Sequence, residues 1–389
     1  MKRALTVGFA LSAALATATA CAGPKASTGG ADAAPAKAAA SDAASDGVTL
    51  GAVLPLTGSS ATIGEDQRRG IDLAVADINS RGGVLGKPLN VVVEDSTGQA
   101  NAALDAVKKL VTVNEASAVI GEYSSGITVP IAQQLQRSNV VHLNVGSSSP
   151  DMAKIGSMSF SVIGLDTLAS KFTAKELINR GFKRAAFLGP NNSYGSGLQT
   201  AFKEAYAKEG GTVTADVLYT EGQQSYRAEL DRLNQSNPDV FVYTAYGADA
   251  TVINKEAYQS GLNKKNWFGI YLTMCTSDSP KETVEGQMGM DVNYIGPDGA
   301  AYEKAYKNKY GEDFRSTFNG YTYDAVEMLA KAIEKAGSAD PAKIAEAMPA
   351  VGSDYKGVTG DIAFDADRQR VAQPYLVLKM QGGKIVTAG

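Results

Sequence analysis

The chain has 389 residues, enough for two domains of ordinary size, and its 44% hydrophobic and 20% charged content is that of a soluble globular protein. A net charge of −4, with no Lys/Arg cluster, argues against a nucleic-acid partner, which favours basic stripes. Past the extreme N-terminus no stretch approaches the ~20 apolar residues of a membrane span.

Residues 1–21 read as an export signal. MKR supplies the positive start, ALTVGFALSAALATATA the apolar and then small-residue segment, and Cys21 follows at once. The run ATAC at 18–21 resembles a bacterial lipobox, whose cysteine receives lipid after cleavage, although Ala18 stands where Leu is commonest. The alternative is an ordinary signal cleaved nearby, with Cys21 incidental. The expectation is an exported protein, held at the outer face of the cell membrane by lipid or free in the periplasm. Residues 22–47 are small or weakly polar and cannot bury enough apolar surface to offset their ordering entropy, so they read as a flexible tether. With Cys21 acylated, Cys275 is the one remaining thiol and no intramolecular disulfide is expected.

From residue 48 strand and helix alternate. VTLGAVLPL is a short apolar strand, and the following segment carries Ile71, Leu73, Ala74 and Ile78 at helical spacing before Gly82-Gly83 ends it. LNVVVED, SAVIG and NVVHLNV read as further strands separated by helices, so a parallel sheet covered on both faces is expected. The pattern then restarts at DTLASKFTAKELINRG and runs through RAAFLG, TVTADVLY and DVFVYTAY, which suggests a second lobe of the same topology. The final third is mixed, and a tail returning to complete both lobes makes each discontinuous in sequence, with hinges between them.

In such sheets the ligand-facing loops follow the carboxyl ends of strands. Three are rich in hydroxyls and glycine: GEYSSGIT, entering a helix near Pro130 at an N1-type position; NVGSSSPDM, with Ser149 as N-cap and Pro150 at N1; and GPNNSYGSG, carrying Tyr194. Helix starts of this kind grip anions, although Ser, Asn and Gly also belong at helix starts as plain caps. Enzyme signals are missing. The single histidine, His142, sits in a sheet-like run, no GxSxG elbow occurs, and one His with one thiol cannot build a typical zinc site. GGVLGKP departs from a phosphate loop at Pro88, and YGSGLQT lacks the third glycine of a dinucleotide fingerprint.

Five stretches carry a family resemblance: GAVLPLTGSSATIGEDQRRGIDLAVADINSRGGVLGKPLNVVVEDS, AVIGEYSSGITVPIA, NVGSSSPDM, PNNSYGSG and YTYDAVEMLAKAIEKAG. Across residues 48–389 the sequence resembles the leucine/isoleucine/valine-binding family of extracytoplasmic solute receptors, which serve ABC importers. The resemblance implies the type I periplasmic-binding-protein fold: α/β, two Rossmann-like lobes with parallel central sheets joined by a three-stranded hinge. Lobe 1 is expected from 48–165 plus 290–365, and lobe 2 from 166–289 plus 366–389. The implied protein is a monomeric receptor and not an enzyme, with no cofactor or metal, that captures a small amino acid or related carboxylate or amide and docks on a permease. A sensory ligand-binding protein of the same fold is the alternative reading, and a secreted hydrolase a third.

Carried over by position, Ser125 binds a ligand carboxylate. Ser147 and Ser148 supply a backbone carbonyl for an ammonium and a hydroxyl for the carboxylate. Tyr194 and Tyr246 reach across on closure, and Tyr123 and Ile63 line the side-chain end. One departure stands out. Amino-acid-binding members usually place an acid after the strand matching WFGIYL, and here the position near Leu272 or Thr273 has none. Glu122 or Asp324 is the expected substitute, Asp324 being alternatively a structural partner in its helix. Without such an acid, a neutral amide or an aliphatic or aromatic carboxylate fits the hydroxyls and tyrosines.

Overall fold

Strand β1 (Val48–Leu54) is apolar and buried at nearly every position, which places it inside a sheet covered on both faces. The computed structural model describes residues 47–388 apart from Tyr294; the export segment, Cys21 and the tether up to residue 46 lie outside the described residues. Around β1 run β2 (Leu89–Asp95), β3 (Ala118–Gly121), β4 (Val141–Asn144) and β5 (Ser159–Ser161), all parallel, in the spatial order β2-β1-β3-β4-β5. Helices α1 (Ala61–Ser80), α2 (Ala100–Thr112) and α3 (Ser125–Arg137) make the crossovers.

Helix α4 (Asp166–Asn179) opens the second passage. It is followed by β6 (Arg184–Pro190), α5 (Ser193–Lys208), β7 (Thr212–Tyr219), α6 (Arg227–Gln235), β8 (Val240–Tyr243), α7 (Gly247–Gln259) and β9 (Trp267–Ile270). Two short helices, α8 (Leu272–Thr276) and α9 (Lys281–Val284), lead to β10 (Met288–Val292). The chain then returns to the first lobe through α10 (Ala300–Tyr310), α11 (Phe318–Ala336), α12 (Pro341–Val351) and the ribbon β11 (Tyr355–Gly357) with β12 (Gly360–Ile362). It ends in β13 (Tyr375–Gln381) and β14 (Lys384–Thr387), which extend the second sheet antiparallel, in the order β14-β13-β10-β9-β8-β6-β7.

The first core packs Ile71, Ala74 and Ile78 of α1 and Val326, Leu329 and Ile333 of α11 on β1, β3 and β4. In the second, Phe187, Val242, Phe268 and Met290 from adjacent strands pack against Leu198 and Phe202 of α5. The fold is thus α/β with two lobes, each holding its own sheet. The segments joining them lie side by side: Ser161 N–H donates to Arg368 O (3.0 Å), Asn293 N–H to Pro374 O (2.8 Å) and Gly164 N–H to Gln373 Oε1 (2.6 Å).

Three expectations need correcting. Strand β10 pairs with β13 as far as Val292↔Tyr375, so the chain leaves the second sheet after Val292 and not at 289/290. The turn 363–371 closes on itself, Val371 N–H to Ala363 O at 2.9 Å, so the last passage comes after Arg370 and not at 365/366. Pro130 is not at N1, because α3 starts at Ser125 and carries it inside. Gly126, whose carbonyl loses the bond Pro130 cannot donate, is exposed and meets water, which is why the earlier start is tolerated.

His142 is buried in β4, as its sequence context suggests. Its Nε2 donates to Gly121 O at 2.5 Å and its Nδ1 accepts from the Ser159 hydroxyl at 3.0 Å. Burial pushes its pKa down to about 4, against a smaller opposing effect of the Gly121 bond. A folded pKa below the unfolded one gives stability that is complete above about pH 6.5 and is lost as pH falls towards about 4. Acidification from about pH 7.5 to about 4.5 should therefore cost the wild type roughly 2 to 3 kcal/mol more than His142→Gln, which keeps a donor for Gly121. Urea unfolding of both proteins at the two pH values measures this, and parallel pH profiles would refute it.

Candidate functional site

The carboxyl ends of β3 and β4 build the first-lobe side. After Gly121 the buried Glu122 accepts the Ser96 hydroxyl on Oε1 (2.6 Å) and the Ser124 N–H on Oε2 (2.6 Å), which fixes the turn before α3. Thr128 Oγ1 donates back to Ser124 O at 2.8 Å and tightens it. Ser125 is thereby buried in the first turn of α3, where backbone N–H groups have no preceding carbonyl to bond. On the next strand Asn144 Oδ1 accepts the N–H of Ser147 (2.8 Å) while its Nδ2 donates to Ser147 O (2.7 Å). The two loops press together at Gly146, where an added Cβ would lie 2.5 Å from the Tyr123 Cα, so glycine is required by close approach alone.

Ser147 Oγ–H donates to Ser125 Oγ at 2.9 Å, which leaves the Ser125 proton to donate outward. A chain of two hydroxyls ending at a helix N-terminus is a donor site for an anionic oxygen. The carbonyls are less available than expected: Ser147 O takes the Asn144 amide, and Ser148 O takes the Asp166 N–H at 2.7 Å.

From the second lobe, Asn192 caps α5 by accepting the N–H groups of Tyr194 and Gly195 at 3.0 Å each. Tyr194 Oη and Thr244 Oγ1 share a bond of 2.6 Å. Tyr246 Oη accepts from Asn192 Nδ2 (2.8 Å) and donates to Glu221 Oε1 (2.7 Å), and its ring lies 6.4 Å from that of Tyr194. Hydrogen bonds cross between the lobes: Ser149 Oγ donates to Ser193 O (3.3 Å) and Tyr123 Oη donates to Met274 Sδ (3.7 Å). The cleft is therefore closed.

Both expected acids are committed elsewhere, which corrects that expectation. Glu122 spends both oxygens on the Ser96 and Ser124 donors. Asp324, buried in α11, accepts the Val358 N–H (2.8 Å), the Thr359 N–H (3.0 Å) and the Thr359 hydroxyl (2.6 Å), and is the structural partner its helix context allowed. Sequence reading passed over a third acid. Asp166 opens α4 directly after the first crossover and is fully buried. Its Oδ1 accepts the Tyr271 hydroxyl at 3.2 Å, while Oδ2 has no hydrogen-bond partner among the described residues. Burial drives its pKa well above the carboxylate range, against the smaller opposing effect of the Ser148 and Tyr271 hydroxyls. The Tyr194, Tyr271 and Tyr375 hydroxyls lie within its field. A buried carboxyl with a free oxygen among phenols, beside the Ser148 loop, suits a cationic donor.

Ser125, Ser147, Ser148 and Tyr123 are brought together in the first lobe, with Tyr194 and Tyr246 opposite. Ile63 is half-buried in the first turn of α1. Thr244, Tyr271, Met274 and Phe318 were not anticipated. Asp166 had a signal, since an acid in GLDT directly before a helix was read as a helix start and nothing more. Among the described residues no group of three His, Cys, Asp or Glu could hold a metal, and no helix is long and apolar enough to cross a membrane.

Comparison with known proteins bears on the family and the fold. The sequence model of a family described as Periplasmic binding protein matches residues 47–384. The chain is similar to the Leu/Ile/Val-binding protein BraC3 of Rhizobium johnstonii, 27% identical over 356 residues that cover 88% of this chain and 94% of the relative. Its fold is similar to that of a leucine binding protein, LivK, of Thermotoga maritima (TM-score 0.78, 24% identity, 88% of this chain and 98% of the other). It also resembles an ABC transporter substrate-binding protein of Desulfitobacterium hafniense complexed with Leu (TM-score 0.75, 25% identity, 88% and 100%).

Proposed function

Since the chain belongs to the periplasmic binding protein family, a family of binders and not of enzymes, we propose that it is the extracytoplasmic receptor of an ABC importer for branched-chain amino acids. The observation that carries the reading is the pairing, inside one closed cleft, of the Ser147–Ser125 hydroxyl chain with the free carboxyl oxygen of Asp166. These are complementary ends for a zwitterion. The α-carboxylate takes the Ser125 hydroxyl and the first N–H groups of α3, while the Ser148 hydroxyl stands beside Asp166. The α-ammonium takes Asp166. The apolar side chain lies towards Tyr123, with Ile63 at the proposed rim and Tyr194 and Tyr246 closing from the second lobe. Closure excludes water and strengthens each of these bonds. The relatives named for leucine, isoleucine and valine support the ligand class. In this reading the exported monomer is anchored through Cys21, the tether lets it range, and its closed form docks on a permease.

The test is a thermal-shift screen of the refolded full chain with leucine, isoleucine and valine against 4-methylpentanoate, which is leucine without its ammonium. A ligand at about 100 times its Kd stabilises by roughly 2.7 kcal/mol. Shifts with the amino acids support the proposal; shifts confined to compounds without an ammonium overturn it. Ser125→Ala should weaken leucine binding about tenfold or more in calorimetry, one charge-assisted hydrogen bond being lost. Unchanged affinity would remove Ser125 from the site.

A further inference from the structure

One short segment of the second lobe, residues 271–274, reaches both ends of the cleft. Tyr271 adopts a left-handed backbone conformation (φ 62°) and sends its hydroxyl to Asp166 Oδ1 at 3.2 Å. Thr273 is pinned by its N–H to Asp291 Oδ2 at 2.9 Å. With the turn held in this way, Met274 points at the opposite lobe and accepts the Tyr123 hydroxyl on its sulfur at 3.7 Å. Behind Tyr123 stands Phe318, ring to ring at 5.0 Å and 78°. Tyr123 is two residues before Ser125. In the orientation proposed above, a ligand whose carboxylate sits on Ser125 extends its side chain towards the Tyr123–Met274 contact.

We infer that Met274 is the specificity-determining residue for ligand side-chain length, with its contact to Tyr123 serving as the end wall that a bound side chain must stop short of. The inference rests on the ligand orientation proposed above. A thioether is unbranched and adapts to small differences in shape, so aliphatic side chains of differing branching meet the same wall. A larger side chain has to push Met274 off Tyr123 and forfeits a contact that holds the lobes together. The sulfur is a weak acceptor, so the hydrogen bond itself contributes little and the volume of the side chain sets the limit.

The experiment is calorimetry on the full chain with leucine and phenylalanine, and in parallel with 4-methylpentanoate and 3-phenylpropanoate, which present the same two side chains without an ammonium. Met274→Ala should raise the phenyl-to-isobutyl affinity ratio by about tenfold in whichever pair binds, the order expected for a change of pocket volume. Met274→Leu, which keeps the volume and loses the sulfur, should leave that ratio within about twofold. Tyr123→Phe, which removes only that weak bond, should leave both affinities and their ratio within about twofold. An unchanged ratio in Met274→Ala overturns the inference, and so does a ratio that moves equally in Met274→Leu. Binding confined to the des-amino pair would refute the amino-acid reading and still measure the ratio, so the two failures are separable.

Discussion

Asp166→Asn is expected to weaken leucine binding by on the order of 100-fold or more and to leave the folding of the ligand-free protein nearly unchanged. The two halves of this result have one cause. In the ligand-free cleft, burial raises the Asp166 pKa and disfavours the charged carboxyl, so a neutral amide of the same shape is expected to cost the fold little. The ammonium of a bound amino acid reverses the balance, because the ionised carboxyl is then paired in a site that excludes water. Leaving that ammonium without its partner costs what breaking a buried pair costs, roughly 3–5 kcal/mol. The same argument predicts a proton released on binding. Wild-type affinity for leucine should rise with pH, by up to about tenfold per unit, while pH stays below the ligand-free pKa of Asp166. Calorimetry in buffers of different ionisation enthalpy reads the proton directly. Neither Asp166→Asn with leucine nor the wild type with 4-methylpentanoate should release one. Leucine affinity in the variant equal to that of the wild type would show that the ammonium lies elsewhere.

The architecture was legible because parallel strands buried on both faces leave a crude signature. Runs such as Val48–Leu54 and Val240–Tyr243 have no polar alternation to blur them. The serine loops were legible for the same local reason, since Ser125, Ser147 and Ser149 follow strands and precede helical turns. What escaped is non-local. Whether a carboxylate is free depends on donors tens of residues away: Glu122 is consumed by Ser96 and Asp324 by Thr359, whereas Asp166 keeps one oxygen unpaired. The local signals, a helix start at Asp166 and a helix interior at Asp324, do not report which carboxylate is left with a free oxygen. The early start of α3 escaped too. An internal proline was read as a boundary, when the carbonyl it leaves unbonded belongs to the exposed Gly126. The β13–β14 hairpin ends in four residues that are mostly exposed, and so lacks the apolar run that betrayed the other strands.

The second large effect is expected at the hinge, where Arg370→Met should lower the unfolding free energy by about 3–5 kcal/mol. Arg370 is almost wholly buried, and its N–H groups make five bonds. Nε donates to Ala372 O (2.8 Å), Nη1 to Val162 O and Thr359 Oγ1 (3.1 Å each), and Nη2 to Thr359 O (2.9 Å) and Asp361 O (3.0 Å). Val162 belongs to the first crossover and Ala372 to the last, while Thr359 lies in the turn of the first-lobe ribbon and Asp361 in its strand β12. One guanidinium thus ties two hinge segments to one lobe. Its charge is met through a hydroxyl: Thr359 Oγ1 accepts from Arg370 and donates to Asp324 Oδ2 at 2.6 Å. Burial raises the Asp324 pKa to about 6 and the nearby guanidinium pulls it down, so the variant should push it higher and leave Asp324 protonated over a wider pH range. Arg370→Lys tests geometry against charge. A single ammonium nitrogen cannot span Val162 O and Asp361 O, so the lysine variant should recover little of the loss. Urea unfolding of the three proteins measures the effect, and a lysine variant as stable as the wild type would show that charge alone holds the hinge. A methionine variant within about 1 kcal/mol of wild type would mean that the crossovers find other partners when the guanidinium is gone.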